Sequence, residues 1–92
     1  MTSVEIRRVE TNKKQYLALL LLADEQEDMI DRYLERGSMY VLEDDGVKAE
    51  CVVTDEGGGV LELKNIAVEP DFQGKGYGKA LVDFLIRAYA GQ

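Results

Sequence analysis

Leu63-Lys64-Asn65-Ile66-Ala67-Val68-Glu69-Pro70-Asp71-Phe72-Gln73-Gly74-Lys75-Gly76-Tyr77-Gly78-Lys79-Ala80-Leu81 is the stretch on which the reading of this chain turns. Its first part belongs to an apolar strand, Val60 to Glu69, in which Leu61 and Leu63 share a face. The next apolar pair, Ile66 and Val68, is out of phase by one residue. A period-2 pattern that slips by one predicts a β-bulge near Lys64-Asn65; the alternative is a strand buried on both faces towards its end. A bulge leaves backbone N–H or C=O groups without a ladder partner, and a ligand can take them. Pro70-Asp71 ends the strand.

Residues 73–79 then place Gly74, Gly76 and Gly78 between larger residues, just after a strand and just before a helix read over Ala80 to Ala90. Glycine permits positive φ and close backbone approach. Consecutive N–H groups at a helix N-terminus make an anion cradle. Lys75 and Lys79 add positive charge, so a phosphate or pyrophosphate is the natural guest. The dinucleotide fingerprint G-x-G-x-x-G would need glycine where Lys79 stands, and the phosphate loop G-x-x-x-x-G-K-[ST] fails at Gln73 and Ala80. A turn serving only to start a helix would not need three glycines in five residues, since each adds unfolded-state entropy. Along the last helix Lys75, Lys79, Asp83 and Arg87 form one polar stripe at i, i+4 spacing. The rest is apolar or small, which predicts a helix packed on several sides.

Upstream, Val4 to Val9 reads as a strand with Val4 and Ile6 on one face. Thr11 or Asn12 is placed to cap a helix, Lys13 to Ala23, apolar on nearly every side and so expected to be largely buried. Asp24 with Glu27 makes a capping-box pattern for a second helix, whose Met29, Ile30, Tyr33 and Leu34 share a face. Arg32 and Arg36 stand near its end, as the helix dipole favours, and Gly37 is the expected stop. Ser38 to Glu43 is a strand, Asp45-Gly46 a tight turn, and Val47, Ala49, Cys51 and Val53 alternate along the next strand. Gly57-Gly58-Gly59 turns into the bulged strand. The fold class is α+β: strand, helix, helix, a three-stranded antiparallel meander, and a helix.

The chain has 92 residues, which suits one domain over 1–92. Folding at this size buries roughly 60–65% of the unfolded surface, a real but thin core. Apolar residues are 46% and charged residues 32%, a globular balance that excludes disorder by composition. Eleven Lys and Arg against 18 Asp and Glu give −7. That field is poor for nucleic acid or an anionic membrane and mildly favours a cationic partner. The longest apolar run, Tyr16 to Ala23, is too short to span a bilayer, which needs ~20 residues. The single Cys51 excludes an internal disulfide framework or a zinc cluster, and reads as a small core residue. With no histidine, Ser-His-Asp and Cys-His catalysis and imidazole metal sites are excluded. One free cysteine and no targeting segment favour a cytoplasmic setting.

The bulged strand followed by Gln73, Gly74, Gly76, Tyr77 and Gly78 resembles the central motif of the GNAT superfamily of N-acyltransferases, a bulged strand, then [RQ]-x-x-G-x-[GA], then a helix. The preceding strand-helix-helix-meander order also resembles the family's N-terminal half. The resemblance implies an acetyl-CoA site. Backbone N–H groups of Gly74, Lys75, Gly76, Tyr77, Gly78 and Lys79 would hold the pyrophosphate, with Gln73 opening the motif. Backbone groups around Ile66, Ala67 and Val68 would pair with the pantetheine arm. A backbone N–H beside the bulge would polarise the acetyl oxygen.

The chemistry so implied is direct transfer of an acetyl group to a primary amine of a small molecule or peptide. An alkyl amine arrives protonated, with a pKa near ~10, so a base must take a proton; without histidine it must be a carboxylate or a water relay. Glu62 stands where some members carry a general-base glutamate. Its other reading is a solvent-facing strand residue paired with Lys64 or Lys48. Glu50 and Glu69 are weaker candidates. Members continue with a further strand, a helix and a hairpin, and often carry a tyrosine that protonates the departing thiolate; none of Tyr16, Tyr33, Tyr40, Tyr77 and Tyr89 matches it. The expectation is a domain incomplete at its C-terminus, whose open strand edge and apolar last helix favour a homodimer. The competing expectation is a module that binds coenzyme A, or only itself, without catalysis.

Overall fold

In the computed structural model, which describes residues 4–90, four antiparallel strands lie in the order β1-β2-β3-β4: Glu5–Val9, Ser38–Glu43, Val47–Gly57 and Val60–Val68. Two short helices, α1 (Leu17–Ala23) and α2 (Glu27–Leu34), cover one face, and α3 (Tyr77–Ala88) covers the other. The period-2 alternation of the strands assigns each side chain to a layer. Val9, Met39, Val41 and Val52 pack with Leu20, Ile30, Tyr33 and Leu34 on the α1–α2 side. Tyr40, Leu42, Ala49 and Cys51 pack with Leu81, Tyr77, Phe84 and Tyr89 on the α3 side. β2 and β3 are therefore buried on both faces. Cys51 is fully buried, and burial first, then the neighbouring Glu50, pushes its thiol up to about 12, so it is a core residue that keeps its proton at neutral pH.

The β-bulge stands where the phase slip places it. Leu63 pairs with Val53 and Asn65 with Val52, so Lys64 is the extra residue. The bulge keeps Leu61, Leu63, Ile66 and Val68 all on the α3 side while turning Asn65 into the α1–α2 layer. A second irregularity, between Leu42 and Glu43, moves Val47 off the face of Ala49 and into the α1–α2 layer.

Helix boundaries differ from the expected ones, each for a local reason. Lys13–Tyr16 is a 3₁₀ turn before α1, and Asn12 enters it at φ 50° with no side-chain cap. Asp24 does not open α2. Its N–H closes α1 on Leu20 O at 3.1 Å, Gln26 is the α2 cap, and the Glu27 carboxylate accepts from Lys14 Nζ at 2.6 Å instead of reaching back. α1 is less buried than its composition suggests: Leu19 and Leu20 are enclosed, but Leu22 is 51% exposed. α3 begins at Tyr77, inside the glycine motif, which leaves Lys75 outside the helix and off its polar stripe. Its cover is also partial, with Leu81 buried and Ile86 65% exposed.

Two residues fix the end of α2. Lys13 is buried, and its Nζ donates to the carbonyls of Leu34 at 2.8 Å and Gly37 at 2.7 Å. A cation there satisfies orphan carbonyls and complements the helix dipole. Gly37 is required by close approach, since a Cβ there would meet Val52 Cγ1 at 2.8 Å and Tyr33 O at 2.9 Å.

Candidate functional site

The glycine motif builds a row of free donors. Gly76 caps α3 at φ 86°, a left-handed conformation that L side chains rarely adopt, and open space lies where its Cβ would be. The first backbone donor used within α3 is the N–H of Ala80, to Gly76 O at 2.9 Å. Among the described hydrogen bonds none employs the N–H groups of Gly74 to Lys79. They stand at the positive end of a twelve-residue helix, where an anion cradle forms.

Side chains around the motif hold it in place. Gln73 Nε2 donates to Val68 O at 3.3 Å, tying the loop to the end of β4. The Tyr77 hydroxyl donates to Asp44, which fastens the start of α3 to the β2–β3 hairpin, and that bond holds the phenol above its ordinary pKa. Lys48 and Lys75 both stand over the Phe72 ring, at 4.7 and 5.5 Å from its centre. Lys48, on β3, thus brings a third ammonium toward the cradle beside Lys75 and Lys79. Sequence reading missed it, because only the hairpin pairing carries it there. Lys79 itself pairs with Asp83 at 2.8 Å.

β4 is an edge strand, so one side of its backbone has no strand beside it among the described residues. Ile66, Ala67 and Val68 lie between the bulge and the cradle along that edge, with Ala67 buried and the other two half-buried. The bulge, the rest of the edge strand and the cradle follow one another along the chain.

The bulge itself borders a cleft of 430 Å³ on the α2 side, lined by Asp24, Met29, Arg32, Tyr33, Arg36 and Lys64. Behind it, Asn65 Nδ2 donates to the Tyr33 hydroxyl at 3.0 Å and to Leu20 O at 3.0 Å. The Tyr33 hydroxyl in turn donates to Asp24 Oδ2 at 3.3 Å. On the α3 side a second, apolar hollow of 240 Å³ is lined by Val53, Leu61, Leu63, Val82, Leu85, Ile86 and Tyr89.

The three carboxylates singled out in the sequence fall in different surroundings. Glu62 is half-exposed and pairs with Lys64 Nζ at 3.1 Å. Glu50 is fully buried in β3, neither of its oxygens has a partner, and burial pushes its carboxyl up to about 8. Glu69 continues the β3–β4 ladder, its N–H donating to Lys48 O at 2.8 Å.

Comparison with known proteins bears on this arrangement. A family model described as an acetyltransferase (GNAT) domain matches residues 35–92. The chain is 43% identical over 74 residues to an uncharacterized N-acetyltransferase, YvbK, of Bacillus subtilis, a match covering 79% of this chain and 47% of that protein. Its fold is similar to that of an IAA acetyltransferase from Bacillus cereus, at TM-score 0.85 and 38% identity, covering 97% of this chain and 59% of that one. It is similar to a Bacillus subtilis acetyltransferase in complex with CoA, at TM-score 0.86 and 35% identity, covering 95% and 58%. It is also similar to an acetyltransferase from Elizabethkingia anophelis with acetyl-CoA bound, at TM-score 0.86 and 30% identity, covering 92% and 56%. The chain spans about half the length of the curated relative it matches.

Proposed function

This chain belongs to the GNAT acetyltransferase family, and on that premise we propose that it binds acetyl-CoA and transfers the acetyl group to a primary amine of a small molecule or peptide. The observation that carries the reading is the unspent row of N–H groups from Gly74 to Lys79 at the α3 N-terminus, in line with a bulged edge strand. Two relatives of similar fold bear CoA or acetyl-CoA, which supports the same guest here.

The residues present fit that guest. Gly74 to Lys79 would hold the pyrophosphate, with Lys48 and Lys75 adding positive charge. The free edge at Ile66, Ala67 and Val68 would take the pantetheine arm. Bound acetyl-CoA would supply an acetyl group already activated as a thioester. A backbone N–H at the bulge would polarise its carbonyl oxygen, and Glu62 would take the proton that the ammonium must lose. Lys64, paired with Glu62, holds that carboxylate beside the bulge.

A thermal-shift titration with acetyl-CoA tests this. A ligand that binds only the folded chain adds about 2.7 kcal/mol at a hundredfold excess over Kd. A saturable rise in Tm that Gly76→Asp weakens is the expected result. No rise at millimolar ligand overturns the reading.

One observation favours a second reading, in which the domain over 1–92 self-associates as a homodimer, with or without catalysis. Leu63, Val82 and Ile86 expose apolar surface beside the free edge of β4. Light scattering that shows a monomer at high concentration removes it.

A further inference from the structure

Resting on the reading above, we propose that the acceptor is a small zwitterionic amine, a molecule carrying its own carboxylate close to the amine, held in the cleft between α2 and the bulge by Asp24 and Arg32. The cleft carries three cations, Arg32, Arg36 and Lys64, in a chain whose net charge is −7. Two of the three are already neutralised. Arg36 pairs with Glu56 at 3.2 Å and Lys64 with Glu62 at 3.1 Å. Arg32 enters no ion pair or side-chain hydrogen bond among the described residues, and its guanidinium is exposed on the cleft wall.

Its position in the last turn of α2 does not explain it. The carbonyls of Leu34, Glu35 and Gly37 already accept from Lys13, so the helix end needs no second cation. A free planar guanidinium in a concave site suits a carboxylate, which it can grip with two parallel hydrogen bonds.

Asp24 is the complementary group. It makes no ion pair among the described residues, and its oxygens accept only two long bonds, from Gln26 N–H at 3.4 Å and the Tyr33 hydroxyl at 3.3 Å. It therefore has capacity for an ammonium. Met29 and the Tyr33 ring give the cleft an apolar wall, and 430 Å³ is the scale of a small-molecule site. Lys64 places the cleft at the bulge, the point toward which the edge-strand reading leads the acyl end. The bulk negative charge of the chain would favour a cationic acceptor, but the two unpaired groups in the cleft are of opposite sign.

Nitrogen-15-labelled chain titrated with two matched pairs tests this: leucine against isoamylamine, and phenylalanine against phenethylamine. Each amine is its amino acid without the carboxylate. The expected result is saturable movement of the Asp24, Met29, Tyr33 and Lys64 amide signals by the amino acids, with the amines binding about tenfold more weakly. Arg32→Gln should weaken the amino acids by a similar factor and leave the amines unchanged. Equal binding within each pair, or no movement by any of the four, overturns the proposal. Acetyl-CoA titrated into the same samples separates the two readings. A response to acetyl-CoA with no preference for the amino acids sinks the acceptor class alone. Preference for the amino acids with no response to acetyl-CoA sustains the acceptor site and sinks the acetyl-CoA reading.

Discussion

The side-chain amide of Asn65 lies 3.0 Å from the Tyr33 hydroxyl, and that bond joins the bulge of β4 to α2. The contact is possible because the extra residue, Lys64, rotates Asn65 into the α1–α2 layer. Burial, the larger influence, raises the phenol's pKa, so the hydroxyl stays a donor to Asp24 while accepting from Asn65. Tyr33→Phe removes both bonds and leaves the ring in place. The expected cost is about 1–2 kcal/mol, because Asn65, 3% exposed, keeps only Leu20 O as acceptor for its amide. Urea unfolding with an unchanged m-value checks it. An unchanged midpoint would show that the bond does not hold the bulge to α2.

Glu62→Gln separates proton transfer from cofactor binding. The substitution keeps the shape of the side chain and removes its basicity. Turnover should fall by about 100-fold, the lower end of what a positioned base contributes, while the acetyl-CoA thermal shift stays as in the parent. Unchanged turnover assigns proton removal elsewhere and leaves Glu62 as the partner of Lys64.

Much of the fold is legible because its signals are local. The slip between Leu61/Leu63 and Ile66/Val68 locates the bulge from a single short run of sequence, since all four side chains must reach one core face. The cradle is legible for the same reason: only glycine suits φ 86° at the α3 cap. What escaped the sequence is long-range. Lys13 reads as the first residue of an apolar helix, and nothing nearby shows that it serves carbonyls more than twenty positions on. Glu27 follows Asp24 at capping-box spacing, but Lys14, packed across from α2, claims its carboxylate. Arg32 reads as a cation that the dipole favours near a helix end until the bulge brings Lys64 to the same cleft.

Lys13→Met tests the first of these long-range contacts. Methionine keeps much of the apolar stem and removes the ammonium that serves the α2 carbonyls. A hydrogen bond to a charged group is worth about 1.5–3 kcal/mol, so a loss of roughly 2 kcal/mol is expected. Protection of the α2 amides against hydrogen exchange should fall with it, since the helix has only eight residues and a frayed end exposes most of it. Unaltered stability and unaltered exchange would reduce Lys13 to a packing residue.

Glu50 gives the protein a pH dependence of definite sign. Burial raises its folded-state pKa to about 8, from an ordinary value near 4.5. Below the ordinary value both folded and unfolded chains carry the proton, and the neutral acid costs least. Between the two values the unfolded chain ionises while the folded chain must keep its proton. Stability therefore falls as pH rises through this window, by roughly 1.4 kcal/mol per pH unit for a single fully shifted group. Above the folded-state value both are ionised and the loss is complete. Glu50→Gln replaces the acid by a neutral group of the same shape, so its own effect on stability is a constant offset. The difference between variant and parent should then grow in the variant's favour from pH 5 to pH 8, as read by urea unfolding at each pH. Parallel curves would mean that Glu50 ionises in the folded chain as freely as in the unfolded one, with its two oxygens satisfied by an internal donor such as water.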